Sequence, residues 1–400
     1  MVSLPNPLDN RVRSYYPSRR ILNDRGIKKA LESGYIEILP TIDPSDTTRI
    51  QPATLDVKIA EVDEINRLDN FQHERPNWIG LRVIHAGSWV EAALTETVLI
   101  NHERLNKEPK GPQFMLHSAE ARSSFCRLGG FMGNSGLGRS YLQRWGDKSV
   151  YTPINPGNFG PNHWEFAFGE RIAQMFFFVD PFADLSFTSM HEGCCHALPS
   201  GDEVRSFEMG IEVQENLQIK LLHDKGFFEV APKLVWFQGY VQVHASDEAY
   251  RIRKLDGVLK FSDRDALKDE LRESIDIRNG YTIQPNESIV VKTLERFKLS
   301  PHIGIRFWDN FSSRRFCKRG YDHLQGMTWL RNTNLVELTD GWIDPGYEGV
   351  FGRQPKGYGG RVIRPGDAIG WGQVFFFPTG VEKPYGSKDL GSQHQEKKQI

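Results

Sequence analysis

Gly169-Glu170-Arg171-Ile172, running into Phe176-Phe177-Phe178, returns later in the chain as Gly366-Asp367-Ala368-Ile369, running into Phe375-Phe376-Phe377. Other landmarks repeat in the same order. Thr95-Glu96-Thr97-Val98-Leu99-Ile100 returns as Leu294-Glu295-Arg296-Phe297-Lys298-Leu299, and Ile154-Asn155-Pro156-Gly157 with Gly160 returns as Ile343-Asp344-Pro345-Gly346 with Gly349. The offsets are 197, 199 and 189 residues, too nearly constant for chance matches. The sequence therefore predicts two copies of one domain, each about two hundred residues long. An N-terminal extension over 1–20 precedes a first copy over 21–185 and a second over 186–400. The junction falls near 183–205, where Ala183-Asp184 leads through a Gly/Cys/Ser-rich stretch to Gly201-Asp202-Glu203.

Most of each copy reads as short strands. Tyr35 to Leu39, Trp89-Val90, Val98 to Ile100, Leu234 to Phe237 and Ser288 to Val291 are β-patterned runs between Gly, Pro and Asn. Two helices are expected. One starts at the N-cap Asn23, carries Ile27, Ala30 and Leu31 on one face and stops at Gly34; the other runs from Asp263 to Glu273 behind Ser262 or Asp263. With 37 glycines and 22 prolines at turn positions, a β-sandwich or distorted barrel per copy is expected rather than a doubly wound sheet. The Phe triplets alternate faces on a strand, so they read as core packing rather than as a platform for single-stranded nucleic acid.

A net charge of −1 with scattered Lys and Arg argues against a broad nucleic-acid or membrane surface, and leaves room for a local basic pocket for a phosphorylated small molecule. No apolar run approaches membrane length, and Met1 to Arg20 lacks the apolar core of a secretory signal, so the cytoplasm is the expected compartment. The cysteines, at 126, 194, 195 and 317, form no CxxC pair and fit a reducing environment. His191-Glu192-Gly193-Cys194-Cys195-His196 offers zinc-ligand types, but adjacent ligands rarely close a tetrahedron and the His-x-Glu plus Cys-x-x-Cys pattern of zinc deaminases is absent. The glycine-rich loop from Gly352 to Gly360, with Arg353 and Lys356, lacks the ending of a P-loop.

Ile21-Leu22-Asn23-Asp24-Arg25, the helix that follows, and Ile50-Gln51-Pro52-Ala53-Thr54-Leu55-Asp56-Val57 resemble the start of the dCTP deaminases, which belong to the dUTPase-like superfamily. Arg122-Ser123-Ser124-Phe125-Cys126-Arg127-Leu128-Gly129 resembles that family's Arg-Ser-Ser-x-x-Arg-Leu-Gly segment. In the second copy, Thr339 to Gly349 resembles its hairpin motif, and Lys383-Pro384-Tyr385-Gly386 with Gly391 to Gln395 its closing tail. The resemblance implies two tandem distorted β-barrel domains that convert dCTP to dUTP and ammonia without zinc. It also implies Mg²⁺ arriving on the substrate triphosphate and assembly of the subunits as a trimer.

Deamination at C4 needs an activated water and a proton for ammonia, and one buried carboxylate can serve both. In the family that glutamate lies five residues beyond the last hairpin glycine; five from Gly160 is Glu165. The resemblance therefore implies Glu165 as acid and base, Arg127 as its positioning partner and Ser123 as a hydrogen-bonding group to water or substrate. Arg122 and Ser124 would contact phosphate, with Asn155 and Gln174 also on the substrate. Each has a plainer reading: Glu165 as a solvated strand residue, the arginines as surface ion-pair partners, Ser123-Ser124 as a turn or cap, and Asp344 as a turn cap.

The second copy departs where chemistry would need it. Gln354 stands at the glutamate position, and Ser312-Ser313 lies between Phe311 and Phe316. It keeps the better hairpin and the recognisable tail, so the losses are complementary, and Trp342, Ile343, Asp344 and Tyr385 are expected to complete a composite site around Glu165. Two alternatives stay open: a dUTPase-like diphosphohydrolase using Asp344, and a silent nucleotide-binding or regulatory protein.

Overall fold

A computed structural model of the chain describes residues 20–39, 49–67, 83–101, 104, 115–133, 143–145, 148–158, 160–179, 208–213, 216–237, 240–284, 287–308, 341–354 and 361–387. The expected junction, the His191–His196 cluster, Ser312-Ser313, and Gly391 to Gln395 lie outside the described residues. The architecture is mainly β, as expected, with short helices.

Helix α1 (Asp24–Glu32) begins where the sequence predicts. Asn23 accepts a hydrogen bond from the Gly26 N–H at 2.9 Å, Ile27 and Ala30 are buried, and Gly34 turns the chain at φ +66°. The strand Ile36–Leu39 then pairs antiparallel with Thr97–Ile100. Helix α2 (Ser123–Cys126) is a single turn in the Arg-Ser-Ser segment. The second half repeats the first unit with α3 (Asn216–Asp224), Gly226 at φ +75° and the strand Phe228–Ala231, which pairs with Arg296–Leu299. Ile27 and Ile219, Gly34 and Gly226, and Ile36 and Phe228 are each 192 residues apart. Sequence reading missed α3, although Ile219 and Leu222, both fully buried, carry the same one-face spacing.

The helix expected over Asp263–Glu273 is broken. A 3-10 turn spans Phe261–Asp263, α4 covers only Lys268–Leu271, and Arg272–Asp276 is a strand paired with Glu248–Ile252. The segment is charged on most faces and offers a helix little to bury. Strand pairing, reinforced by the Arg251–Glu273 ion pair, takes its second part instead.

In each half one long strand is central. Arg171–Val179 lies between Leu55–Arg67 and Met115–Ala121, so that Gln174 has Asp56 on one side and Glu120 on the other. Ala368–Phe376 lies between Tyr240–Ile252 and Ile303–Trp308, with Gln373 between Tyr240 and Arg306. Arg20–Leu22 joins the halves, pairing with Arg171–Val179 and with Met209–Glu212, which in turn pairs with Ala368–Phe376.

Each half has its own core, and the aromatic runs divide between them by strand alternation. Phe177 belongs to the first core and Phe376 to the second, while Phe176, Phe375 and Phe377 join Ile21, Ala53 and Val381 in a third cluster at the junction. At about 1.5–3 kcal/mol for each large side chain fully buried, those three rings alone hold the halves together firmly. The second half also lends Ile252, Phe261 and Leu271 to the first core, and Val258–Lys260 extends the His163–Glu165 strand in parallel.

Candidate active site

The Arg-Ser-Ser segment is held by its one apolar side chain. Phe125 is fully buried and meets Phe166 and Phe261 edge-on, at centroid distances of 5.5 and 5.9 Å. The N–H groups of Phe125 and Cys126 donate to the Arg122 carbonyl at 2.9 and 3.0 Å, which closes the α2 turn. Gly130 packs directly against the Phe125 ring, where any Cβ would sit 2.3 Å from it. This turn places Arg122 at its start and Arg127 at its end, with Ser123 exposed and Ser124 half-buried between them.

Arg122 reaches a carboxylate that sequence reading quoted but did not assign. Asp56 is fully buried, with Arg122 at 3.1 Å and Arg171 at 3.6 Å. Burial pushes its carboxyl up, against the opposing pull of Arg122, Arg171 and Arg49. An acidic residue between the buried Leu55 and Val57 of a strand was the available signal, since a charge in an apolar run needs a partner.

The second half brings Asp344 to the same place. Its carboxyl accepts a hydrogen bond from the Trp342 indole N–H at 2.8 Å and feels both Asp56 and Arg122. Burial pushes it up to about 7; the indole and Arg122 work against the rise, and the Asp56 charge adds to it. The residue as a whole keeps partial surface exposure, so the desolvation is that of the carboxyl group. Trp342 is fixed by first-half and second-half rings alike, Phe176 at 5.3 Å and Phe375 at 5.9 Å, and the Arg306 guanidinium lies over Phe176 at 5.1 Å.

Arg127 faces the second half too. Burial pulls its guanidinium below the ordinary range, while the nearby Tyr250, Tyr385 and Tyr347 hydroxyls oppose that shift and Arg272 adds to it. The Tyr347 and Tyr385 rings are 5.5 Å apart, and the Tyr385 N–H donates to the Pro345 carbonyl at 2.7 Å. The hairpin and the tail are thus one unit against Arg127. The composite arrangement joins Arg122 and Arg127 of the first half to Trp342, Asp344 and Tyr385 of the second within a single chain.

Glu165 sits at the end of the His163–Glu165 strand, opposite Lys260 on one side and Val83 on the other. It is half-buried, on the strand face away from the buried Trp164. Its strand is tied to the α2 turn: Phe166 meets Phe125, and Gly160 packs on the Leu128 carbonyl so closely that a Cβ would lie 2.3 Å from it. The strand that carries Glu165 is therefore packed against the Arg-Ser-Ser turn through its flanking residues. Asn155 lies in the Lys148–Asn158 strand opposite Gly133, Gln174 lies beside Asp56, and Ile343 is buried in the second core. Gln354 is buried and donates to the Ser288 hydroxyl, a structural bond inside the second half. Among the described residues no group of three or more His, Cys, Asp or Glu is placed to hold a metal ion, and no helix is long and apolar enough to cross a membrane.

No family model matches the chain. It is 29% identical over 133 residues to a dCTP deaminase, dUMP-forming, of Corynebacterium glutamicum, which covers 32% of this chain and 61% of the relative. The enzyme of the same description from Corynebacterium efficiens is 29% identical over 133 residues, 32% of this chain and 60% of its own length. The match thus spans less than two thirds of these relatives. Among solved structures, the 2'-deoxycytidine 5'-triphosphate deaminase of Agrobacterium tumefaciens superposes with a TM-score of 0.57 at 16% identity, over 90% of this chain and 99% of that one. The chain therefore shares the fold of that deaminase. A third of it is also similar in sequence to the curated dCTP deaminases.

Proposed function

We propose that this chain deaminates dCTP, with the nucleotide bound where the two halves meet. The observation that carries the reading is that both arginines of the Arg-Ser-Ser segment meet groups of the other half: Arg122 feels Asp344, which holds the Trp342 indole, and Arg127 feels Tyr385. Arg122 and Ser124 offer charge and a hydroxyl to phosphate oxygens. Trp342 gives an aromatic wall, Tyr385 lies near Arg127, and Asn155 and Gln174 are further substrate groups. Mg²⁺ would enter on the triphosphate, in a cytoplasmic enzyme that assembles as a trimer.

The Corynebacterium relatives are described as forming dUMP. Going from dCTP to dUMP takes two waters: one replaces the amino group at C4 and releases ammonia, the other cleaves the bond between the α- and β-phosphates and releases pyrophosphate. Two carboxyls suit two hydrolyses. Glu165, at the family's glutamate position, serves deamination, with Arg127 and Ser123 as the partners the motif assigns to it; the link of its strand to the α2 turn through Phe166 and Gly160 favours this role. Asp344, raised to about 7, is poised to accept a proton from water near neutral pH and serves pyrophosphate release.

The test is to incubate the full chain with dCTP and Mg²⁺ and to quantify ammonia, pyrophosphate, dUTP and dUMP. Ammonia release that vanishes in Glu165→Gln supports the deaminase and its acid/base group. Ammonia without pyrophosphate in Asp344→Asn, where the wild type gives both, supports the second role. No ammonia from the wild type would refute the deaminase reading.

A further inference from the structure

We propose that Asp24, in the first turn of α1, is a positioning residue that latches the second half's closing segment and so sets Tyr385 against the site. The proposal rests on the reading of Tyr385 as a nucleotide-contacting group given above. Asp24 is 5% exposed, and its two carboxylate oxygens accept the backbone N–H groups of Glu382 (3.1 Å) and Lys383 (2.8 Å), more than 350 positions away. Helix capping does not require it, because Asn23 already caps α1 through the Gly26 N–H. The neighbours of Asp24 engage the same segment. The Asn23 side-chain amide donates to the Gly380 carbonyl at 2.9 Å, and the Arg25 guanidinium donates to the Thr379 and Gly380 carbonyls at 2.8 and 3.0 Å. Arg25 also lies 3.8 Å from Glu208, which accepts the Thr379 hydroxyl.

Three consecutive residues of the first half thus hold residues 379–383. The next residue, Pro384, has no N–H, and the one after it is Tyr385, whose own N–H is held by Pro345 in the hairpin that carries Asp344. Tyr385 is therefore clamped from two sides, by α1 of one half and by the hairpin of the other. Burial raises the Asp24 carboxyl while the Lys383, Glu382 and Arg25 N–H groups pull it back. A carboxylate so enclosed is satisfied only with the segment in place. The latch acts on substrate through Tyr385 and not by contact, so it governs affinity more than chemistry.

The experiment compares the wild type, Asp24→Asn and Arg25→Ala as full chains. Amide exchange of the 379–387 peptide is measured without nucleotide, alongside KM and kcat for dCTP. The expected result for Asp24→Asn is exchange in that peptide faster by about tenfold, a KM raised by about tenfold and a kcat within roughly twofold, since hydrogen bonds to a charged group are being lost. Arg25→Ala, half-exposed and outside the helix cap, is expected to shift both quantities the same way by less, and it keeps the test alive should Asp24→Asn fold poorly. Unchanged exchange in both variants overturns the latch, and accelerated exchange with an unchanged KM overturns its positioning role. Absence of dCTP turnover in the wild type would instead refute the nucleotide reading, and the exchange arm, which contains no nucleotide, would still decide the latch.

Discussion

Replacing Asp344 by Asn isolates the unusual carboxyl at the junction. Its folded-state value of about 7 compares with 3.8 for an unperturbed aspartate. The folded chain holds this proton more tightly than the unfolded chain, so Asp344 favours folding below the unfolded carboxyl's range, and the advantage is lost as pH rises through about 7. At about 1.4 kcal/mol per unit, the full swing is about 4 kcal/mol, more than half of which falls between pH 5 and pH 8. Partial exposure of the residue and solvent screening reduce this to roughly 1–2.5 kcal/mol. Asparagine keeps the size of the side chain and an oxygen for the Trp342 N–H but cannot titrate. Urea unfolding near pH 5 and pH 8 should therefore show the wild type losing roughly 1–2.5 kcal/mol more than Asp344→Asn over that interval. Parallel pH profiles for the two proteins would refute the placement of Asp344 beside Asp56 in a desolvated setting.

Asp56→Ala removes the buried carboxylate that Arg122 and Arg171, each about a third exposed, share, and should lower stability by about 1–3 kcal/mol, measured by urea midpoint; an unchanged midpoint would contradict the ion-pair account. Gly160→Ala drives a Cβ into the Leu128 carbonyl and should cost about 1–3 kcal/mol, because the strand carrying Glu165 shifts against the Arg-Ser-Ser turn; an unchanged melting temperature would contradict that packing. Phe176→Ala removes the ring between Trp342 and Arg306 and should cost about 3–5 kcal/mol and shift Trp342 fluorescence; an unchanged spectrum would place the ring elsewhere.

The β class and α1 were legible because each rests on local signals: period-two runs between turn residues, and the Asn23 cap followed by Ile27, Ala30 and Gly34. The recurring Phe runs were correctly read as packing, but not as the joint between halves, because alternation shows only that Phe176 and Phe177 face opposite ways. It does not show what Phe176 meets. The Asp263–Glu273 helix failed because pairing with Glu248–Ile252 is a long-range choice invisible to a local pattern. Helix α3 was missed although its Gly226 stop and one-face spacing match α1. Within the site, Arg122, Arg127, Asp344 and Tyr385 could be nominated by motif. Asp56 and Arg171 were passed over, since their role is to satisfy one another across neighbouring strands. The latch by Asp24 joins residues more than 350 positions apart, which sequence reading alone had no means to see.

The central claim is that one chain completes its own nucleotide site from both halves. A crystal structure with a dCTP analogue whose α–β bridging oxygen is replaced by an imido group tests it most directly. The account predicts the triphosphate on the Arg122–Ser124 turn, with Asp344, Trp342 and Tyr385 of that same chain around the nucleotide. Nucleotide bound by the Arg122 turn of one chain and the Asp344 hairpin of another, or bound away from both, would contradict it.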